Sequence, residues 1–231
     1  MRKYIAVFLL LLFPYNAYAA CGGATSGTSP NLTAYDCSYD CVNLAVNTDA
    51  VEGDTVNIPA CAETTWASPL VITKGIKLIG AGIGNTNIKG NITDPYNGVI
   101  SYKPDAAARA ADNLMRIGGF TINADSKSNG IVVNNNSATP VTQVRIDHNR
   151  IINSGGASAG RAIYILGTVF GVADNNTLET YYHGMDSEGI DSVQWNALAT
   201  LGRAFGSANN FYFEDNTMTD IPLYIPGQVC E

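Results

Sequence analysis

The sequence predicts an all-β solenoid, a coil whose turns stack short parallel strands on one another. The first observation is a repeated pattern in which an apolar residue is followed three positions later by Asn and five positions later by another apolar residue. The pattern occurs at Ile146, Asn149 and Ile151, at Ala173, Asn176 and Leu178, and at Phe213, Asn216 and Met218, and an earlier copy at Ile117, Phe120 and Ile122 has Phe in the Asn position. The second observation is the spacing of this position, which steps by 29, 27 and 40 residues from 120 to 149, 176 and 216. Steps of about 20 to 50 residues with short β-type runs are typical of solenoids.

The composition agrees with a single solenoid domain and excludes one class of partner. Charged residues make up 14% of the 231 residues, below the ~25% of an average domain. Outer faces built from Ser, Thr, Asn and Gly would account for this low value. The formal net charge is −7. Because phosphate binding needs clustered Lys and Arg, we predict that nucleic acid is not a partner.

The first 19 residues have the features of a signal peptide. Arg2 and Lys3 precede the apolar run Ile5–Phe13, which is too short to span a bilayer, and Ala17–Ala19 forms a small-x-small cleavage site. We predict cleavage after residue 19 and a secreted protein that is extracellular or at the cell surface, with the periplasm as an alternative. Lipoprotein processing at Cys21 is disfavoured by the aromatic residue within the cleavage site. No later apolar run is long enough for a transmembrane helix.

The first segments of the mature chain predict a polar lead-in followed by a helical cap. Residues 20–35 are rich in Gly, Ser and Thr, and we expect them to be flexible. Ser38 can cap a short amphipathic helix over Ser38–Val51. This helix would cover the open edge of the first turn of the solenoid domain, residues 36–231.

The cysteines are compatible with disulfides rather than with a zinc site. The five are Cys21, Cys37, Cys41, Cys61 and Cys230. Export permits disulfides, and we predict that either Cys37 or Cys41 pairs with Cys61. One thiol of the odd number remains unassigned. The pair at 37 and 41 has no matching second pair, which argues against zinc.

Short apolar runs between Gly, Pro and Asn residues predict the strands. They are Val56–Ile58, Leu70–Ile72, Ile76–Ile79, Thr86–Ile88, Val99–Tyr102, Leu114–Ile122, Gly130–Val133, Val144–Ile152, Ala162–Leu166, Val169–Leu178, Phe211–Met218 and Leu223–Ile225. Lys103–Asn113 and residues 181–207 are predicted as loops. Since the sequence stops soon after a new coil begins, we predict that it is either the N-terminal part of a longer protein or a truncated reading frame.

Residues 53–82, GDTVNIPACAETTWASPLVITKGIKLIGAG, resemble the opening coil of pectate-lyase-like proteins with the pectin lyase fold. Together with the Asn-bearing copies, the resemblance covers about residues 36–225. It implies a right-handed parallel β-helix and a polysaccharide partner. The Arg-x-Pro-x-x-Arg run of pectate lyases is absent, and only Tyr182-His183-Gly184 approaches the Gly-His-Gly of polygalacturonase-like members. No catalytic residue is therefore assigned from the resemblance.

The repeated Asn residues are predicted to be structural. Asn149, Asn176 and Asn216 fall at a bend in each copy. Asn tolerates left-handed backbone geometry, and its amide can bond backbone groups. Stacked at ~4.8 Å, the three side chains would form a ladder of amides.

The position after the first apolar residue of each copy predicts a column of carboxylates. Asp147, Asp174 and Glu214 would point outward about 5 Å apart. One pKa must then rise, or a cation must lie between them. This column is a candidate Ca²⁺ site or a pair for general acid–base catalysis, and the alternative is that the carboxylates bond turn amides. The column disappears if Val172 rather than Ala173 points inward.

Three residues around the column are candidates for a supporting role. His148 could shuttle protons, although a lone His is more often structural. Arg145 and Arg150 could provide the basic arginine of a lyase. The simpler interpretation is that both neutralise Asp147.

The segment predicted as a loop at 181–207 combines aromatic and acidic residues that could bind sugar. The substrate-binding candidates are Tyr181, Tyr182, Asp186, Glu188 and Trp195. Loops on rigid scaffolds often carry function. The alternative is that the rings pack back onto the strands.

Two functions are compatible with these features. The first is a secreted β-helix protein that binds polysaccharide, with an acidic glycan favoured, or cleaves it as a lyase or glycoside hydrolase with Ca²⁺ as candidate cofactor. The second is a non-catalytic module, such as a cell-surface adhesin or a structural spike. The sequence does not decide whether the protein is an enzyme.

Overall fold

The computed structural model describes residues 21, 25–125, 128–153, 160–180, 183–188 and 211–220. Its strands, in chain order, are β1 (Ser26–Thr28), β2 (Asn31–Thr33), β3 (Thr55–Ile58), β4 (Cys61–Trp66), β5 (Leu70–Ile72), β6 (Lys77–Gly80), β7 (Thr86–Gly90), β8 (Asp94–Tyr102), β9 (Met115–Gly118), β10 (Thr121–Asn123), β11 (Ser128–Asn135), β12 (Val141–Asp147), β13 (Arg150–Ile152), β14 (Arg161–Gly167), β15 (Val169–Asp174), β16 (Thr177–Glu179), β17 (His183–Glu188), β18 (Phe211–Glu214) and β19 (Thr217–Thr219). The predicted signal peptide, residues 1–19, and the predicted strand Leu223–Ile225 lie outside this part of the chain. None of the described helices has the length and apolar character needed to cross a membrane.

The strands form three sheets that the chain visits in a fixed order. Sheet A runs β1-β2-β3-β6-β9-β12-β15-β18, sheet B runs β4-β7-β10-β13-β16-β19, and sheet C runs β5-β8-β11-β14-β17. From β3 onward the chain passes from sheet A to sheet B to sheet C and returns to sheet A. Every described pairing is parallel except β1 with β2. The predicted all-β architecture of stacked parallel strands is confirmed.

Apolar side chains stack into columns between the sheets. In sheet A, Ile117, Ile146, Ala173 and Phe213 are in register, and the first three are fully buried. Because alternate residues of a strand face opposite sides, the burial of Ala173 settles which residue points inward. Val172 faces outward, so the predicted carboxylate column stays in register.

The predicted N-terminal helix is confirmed. Helix α1 (Tyr39–Asn43) starts at Ser38, whose side chain accepts a hydrogen bond from the Cys41 amide, and continues as one π-helical segment over Leu44–Asp49. Val42, Ala45 and Val46 join the main core, while Cys41 and Leu44 pack with Cys21 in a second, smaller cluster. The Lys74 ammonium donates to carbonyls at the end of the helix, including that of Ala50 at 2.7 Å. A cation there satisfies acceptors that a helix end leaves unpaired.

Ser26–Thr33 lies within the segment predicted as a flexible lead-in and contains two strands that the sequence did not predict. Strands β1 and β2 form a hairpin, and β2 adds in parallel to β3 with Leu32 opposite Val56. Leu32 is buried there, and the Ser29 hydroxyl donates to the buried Asp54 carboxylate at 2.6 Å. A single inward Leu among polar residues was too short a pattern to identify a strand.

Two disulfides hold the N-terminal segments, one to helix α1 and one to strand β4. Cys37 bonds to Cys61, which was one of the two predicted alternatives, with 6.3 Å between their Cα atoms. Cys21 bonds to Cys41, which was not predicted. Cys230 lies outside the described residues.

The predicted loop at Lys103–Asn113 is wrong in its centre, where the Ala-rich run forms helix α2 (Ala106–Ala111). Asp105 caps it by accepting from the Ala108 amide, and Asp112 ends it in left-handed geometry with φ 45°. Ala has the highest intrinsic helix propensity, and this accounts for a helix in a run of five Ala residues and one Arg. Strand β4, Cys61–Trp66, was also not predicted, because its centre lacks apolar residues.

Candidate functional site

The repeated Asn residues form a continuous ladder where the chain turns from sheet A to sheet B. The Asn149 side-chain amide donates to Asn176 Oδ1 at 3.1 Å, and that of Asn176 donates to Asn216 Oδ1 at 2.9 Å. Each amide also donates to a backbone carbonyl of the previous turn, as Asn149 does to Ile117 at 3.0 Å. Asn149 Oδ1 accepts from the Phe120 amide at 3.2 Å. The ladder therefore satisfies the backbone groups that the bend removes from both sheets.

One of the two reasons given for Asn at this bend is wrong. The left-handed conformation belongs to the residue before each Asn, with φ of 54° at His148, 55° at Asn175 and 51° at Asp215. In the earlier copy Gly119 takes this position with φ 83°. Asn is required for its amide, and the preceding residue absorbs the backbone strain.

The carboxylate column exists, but arginine covers Asp147 and Asp174, and only Glu214 is exposed. Asp147 is paired in register with Asp174, which is paired with Glu214. Arg116 Nε and Nη2 donate to the two carboxylate oxygens of Asp147 at 2.7 and 2.6 Å. Arg145 Nη2 donates to Asp174 at 2.8 Å. Each arginine thus reaches the carboxylate of the next turn, and Asp147 has no exposed surface.

The cation between the carboxylates is a side chain of the protein. Arg145 bonds Asp174, and its Nε lies 3.6 Å from Asp147 Oδ2, a distance at which it contributes charge rather than a hydrogen bond. Among the described residues, no group of three or more His, Cys, Asp or Glu side chains is arranged to hold a metal ion. The geometry therefore does not favour a Ca²⁺ site at Asp147, Asp174 and Glu214.

His148 and Arg150 have partners that limit the roles predicted for them. His148 Nδ1 lies 2.8 Å from Asp147 Oδ2, while most of its side chain is exposed. Arg150 does not neutralise Asp147, because it donates to Glu179 at 2.8 and 2.9 Å. The residue that neutralises Asp147 is Arg116, which the sequence reasoning missed. The signal was its position directly before Ile117, since Arg145 stands in the same place in the next copy.

The acidic part of the predicted loop at 181–207 is a strand. His183–Glu188 forms β17 beside β14, so the prediction of a loop is wrong for these six residues. Asp186 accepts from Arg161 Nε at 2.6 Å, and the Arg161 guanidinium lies 4.0 Å from the centre of the Tyr164 ring. This cluster holds Asp186 in an ion pair rather than free for substrate. The other candidates, Tyr181, Tyr182 and Trp195, lie outside the described residues, as does the side chain of Glu188.

The outer face of sheet B carries a second column, which the sequence reasoning also missed. Residues in register there are Asn87, Thr121, Arg150, Thr177 and Thr217, and we call them the polar column. All of them except Asn87 directly follow the Phe or Asn residue of the repeated pattern. This position in the repeat is the sequence signal that could have identified them. The column places a hydroxyl, amide or guanidinium group on five of the six strands of sheet B, and those of Asn87, Thr121 and Arg150 already bond other protein groups.

The arginine contacts set the protonation of Asp147. Burial opposes its ionisation, but hydrogen bonds from Arg116 and His148 and the nearby positive charges outweigh burial, so the pKa of Asp147 lies below its ordinary value of 3.8. The bond from Arg150 likewise lowers the pKa of Glu179 against a smaller effect of burial. Neither carboxyl can deliver a proton near neutral pH, so the geometry does not favour either as a general acid.

We expect stability to fall in acid because of these two groups. A carboxyl whose pKa is lowered by folding stabilises the protein fully above its unfolded pKa, and this contribution is lost as the pH falls through the folded pKa. The free energy of unfolding should therefore decline below about pH 4. Urea unfolding at a series of pH values measures this decline. Asp147→Asn should make it shallower, and an unchanged slope would contradict the assignment.

No protein-family model, curated protein or solved structure matches the chain. The described residues offer two carboxylates neutralised by arginine on sheet A, Asp147 and Asp174, and a column of polar side chains on sheet B.

Proposed function

We propose that the protein is a secreted right-handed parallel β-helix that binds polysaccharide without cleaving it. The observation that carries this proposal is the polar column of sheet B. A surface that repeats its hydrogen-bonding groups at each strand, ~4.8 Å apart, suits a polymer that repeats hydroxyl groups along a line. Thr177 is partly exposed and Thr217 is exposed, and each carries a hydroxyl.

Cleavage is disfavoured by the state of the candidate carboxylates. Hydrolysis by the usual route needs two carboxyl groups that reach the glycosidic bond, one of them protonated. Asp147 is buried beneath Arg116, and Asp186 is bonded to Arg161. Their charges are used within the protein, which supports binding over catalysis.

The right-handed coil and the export of the protein are inferred from general rules of protein structure. Parallel strands in one sheet are joined by right-handed crossovers in about 98% of cases, which supports a right-handed coil. Membership of the pectate-lyase-like group is likewise part of the proposal, on the resemblance of residues 53–82. The two disulfides support export, because such bonds persist in oxidising compartments.

The test is retention of the protein on insoluble polysaccharides. We expect the wild type to sediment with at least one of cellulose, xylan, or calcium-gelled pectate or alginate, and to release no products. Thr177→Val with Thr217→Val removes two hydroxyls while keeping the side-chain shape, and should weaken retention on the order of tenfold, as expected for two hydrogen bonds.

Thr55→Val is the matched control, because Thr55 is a partly exposed outward Thr on sheet A and should not affect retention. Equal weakening by the control would contradict a role for the polar column. Absence of retention on any polymer would favour the alternative, a structural or adhesive surface module. Reducing ends or unsaturated products would show that the protein is an enzyme.

A further inference from the structure

A polar groove lies where the chain turns from sheet C to sheet A, away from the polar column. Its volume is about 310 Å³, and its lining residues are Lys103, Pro104, Arg109, Asn134, Asn136 and Ser137. This volume is at the lower end of the ~300–1,000 Å³ of small-ligand pockets. We call it the corner groove.

One wall of the corner groove is held by backbone contacts. The Lys103 amide donates to the Ile72 carbonyl at 2.8 Å, which attaches the wall to sheet C. Arg109 Nη1 donates to the Pro104 carbonyl at 2.5 Å. That bond fixes the guanidinium and leaves its other N–H groups to meet a ligand.

The opposite wall is a turn held by a buried amide. Asn135 is 1% exposed, and its Nδ2 donates to the carbonyls of Thr139 and Thr168 at 2.9 and 2.8 Å. Ser137 Oγ accepts from the Thr139 amide at 3.1 Å, which leaves the hydroxyl hydrogen for another partner. Both walls are thus ordered before any ligand arrives, which lowers the entropic cost of binding.

The charges of the corner groove point to an anion. Its lining holds two cations and no carboxylate, in a protein whose net charge is −7. Among the described residues, neither Lys103 nor Arg109 takes part in an ion pair. A guanidinium and an ammonium together suit a carboxylate.

The remaining groups point to a ligand that also carries hydroxyls. Asn134 Oδ1 is a buried acceptor without a hydrogen-bond partner among the described residues, and an acceptor of this kind needs a donor. A fully ionised inorganic anion has none to give. We propose that the corner groove binds an acidic sugar, with its carboxylate at Lys103 and Arg109 and a hydroxyl at Asn134.

This inference goes beyond the proposed function, because the corner groove and the polar column can each fail without the other. The acidic sugar could be a free uronic acid or one unit of a polymer. Calorimetric titration with glucuronic and galacturonic acid, with their trimers, and with the neutral methyl esters separates these sources. Binding of the acids but not the esters is expected, and stronger binding of a trimer would identify the polymer as the source.

The decisive variant is Lys103→Gln with Arg109→Gln, which should weaken binding of the acid at least about tenfold. Lys77→Gln with Lys89→Gln changes the net charge equally on other faces and should bind as the wild type does. Asn136→Asp alters only an exposed groove residue and should also weaken binding, by like-charge repulsion. It tests the groove even where the double variant does not fold.

Three results would overturn the inference. They are failure of the wild type to bind either acid or its trimer, equal binding of acid and ester, and equal loss in the groove and control variants. Retention on neutral polysaccharide through the polar column should not change in the groove variants, so the two proposals remain distinguishable.

Discussion

Replacing Asn149 by Ala is expected to lower the free energy of unfolding by about 3–5 kcal/mol. The side chain is fully buried and bonds the Phe120 amide, the Ile117 carbonyl and the side chain of Asn176. The substitution leaves these groups unpaired where water does not reach, and each unpaired buried group costs about 1–3 kcal/mol. Urea or thermal unfolding measures the loss.

Two further variants show whether burial is the cause. Asn216→Ala removes the same kind of side chain at a half-exposed position, so water can replace part of its bonding and the loss should be smaller. Asn47→Ala removes an exposed Asn whose amide bonds only the Asn43 side chain at 2.8 Å, and should change stability by less than about 0.5 kcal/mol. Similar losses for all three would show that the ladder does not stabilise the bend.

Arg116→Ala is expected to lower the free energy of unfolding by about 2–4 kcal/mol. It removes both hydrogen bonds from a guanidinium to the carboxylate of Asp147, which has no exposed surface. Breaking a buried ion pair typically costs ~3–5 kcal/mol, because one charge stays buried without its partner. The loss should be lower here, since His148 and Arg145 remain beside the carboxylate.

The matched control is Arg150→Ala, which breaks an ion pair with Glu179 of similar geometry. Both of its side chains are partly exposed, and exposed ion pairs contribute ~0–1 kcal/mol. Adding Asp147→Asn to Arg116→Ala should recover part of the stability, because it removes the buried charge. If the double variant loses the sum of the two single losses, Arg116 and Asp147 are not coupled.

These contacts also separate structural carboxylates from functional ones. A column of acidic residues in a repeat resembles a metal or catalytic site when only the sequence is known. Here Arg116 and Arg145 occupy the diagonal positions above Asp147 and Asp174. The groups that can still bind a ligand are Thr177 and Thr217 in the polar column and the two cations of the corner groove.

The sequence alone determined the parallel stacking and the register of the copies that carry the repeated pattern, although it missed β1, β2, β4 and β17. The recurrence of Ile146, Asn149 and Ile151 predicts the same inward column and the same bend that the structure shows, because strand alternation and stacking are local rules that repeat in every copy. The sequence also predicted Ser38 as the helix cap. It predicted a disulfide to Cys61 as well, with Cys37 as one of two possible partners.

Only the tertiary structure decided which side chains meet between turns. Arg116 bonds the carboxylate of Asp147, which lies 31 residues further along the chain. The sequence does not distinguish Asp147 from Glu179 as the partner of Arg150. The corner groove joins a helix after one strand to a turn after another. Such contacts depend on the length and direction of side chains on neighbouring turns, and the pattern of apolar residues contains no information on either.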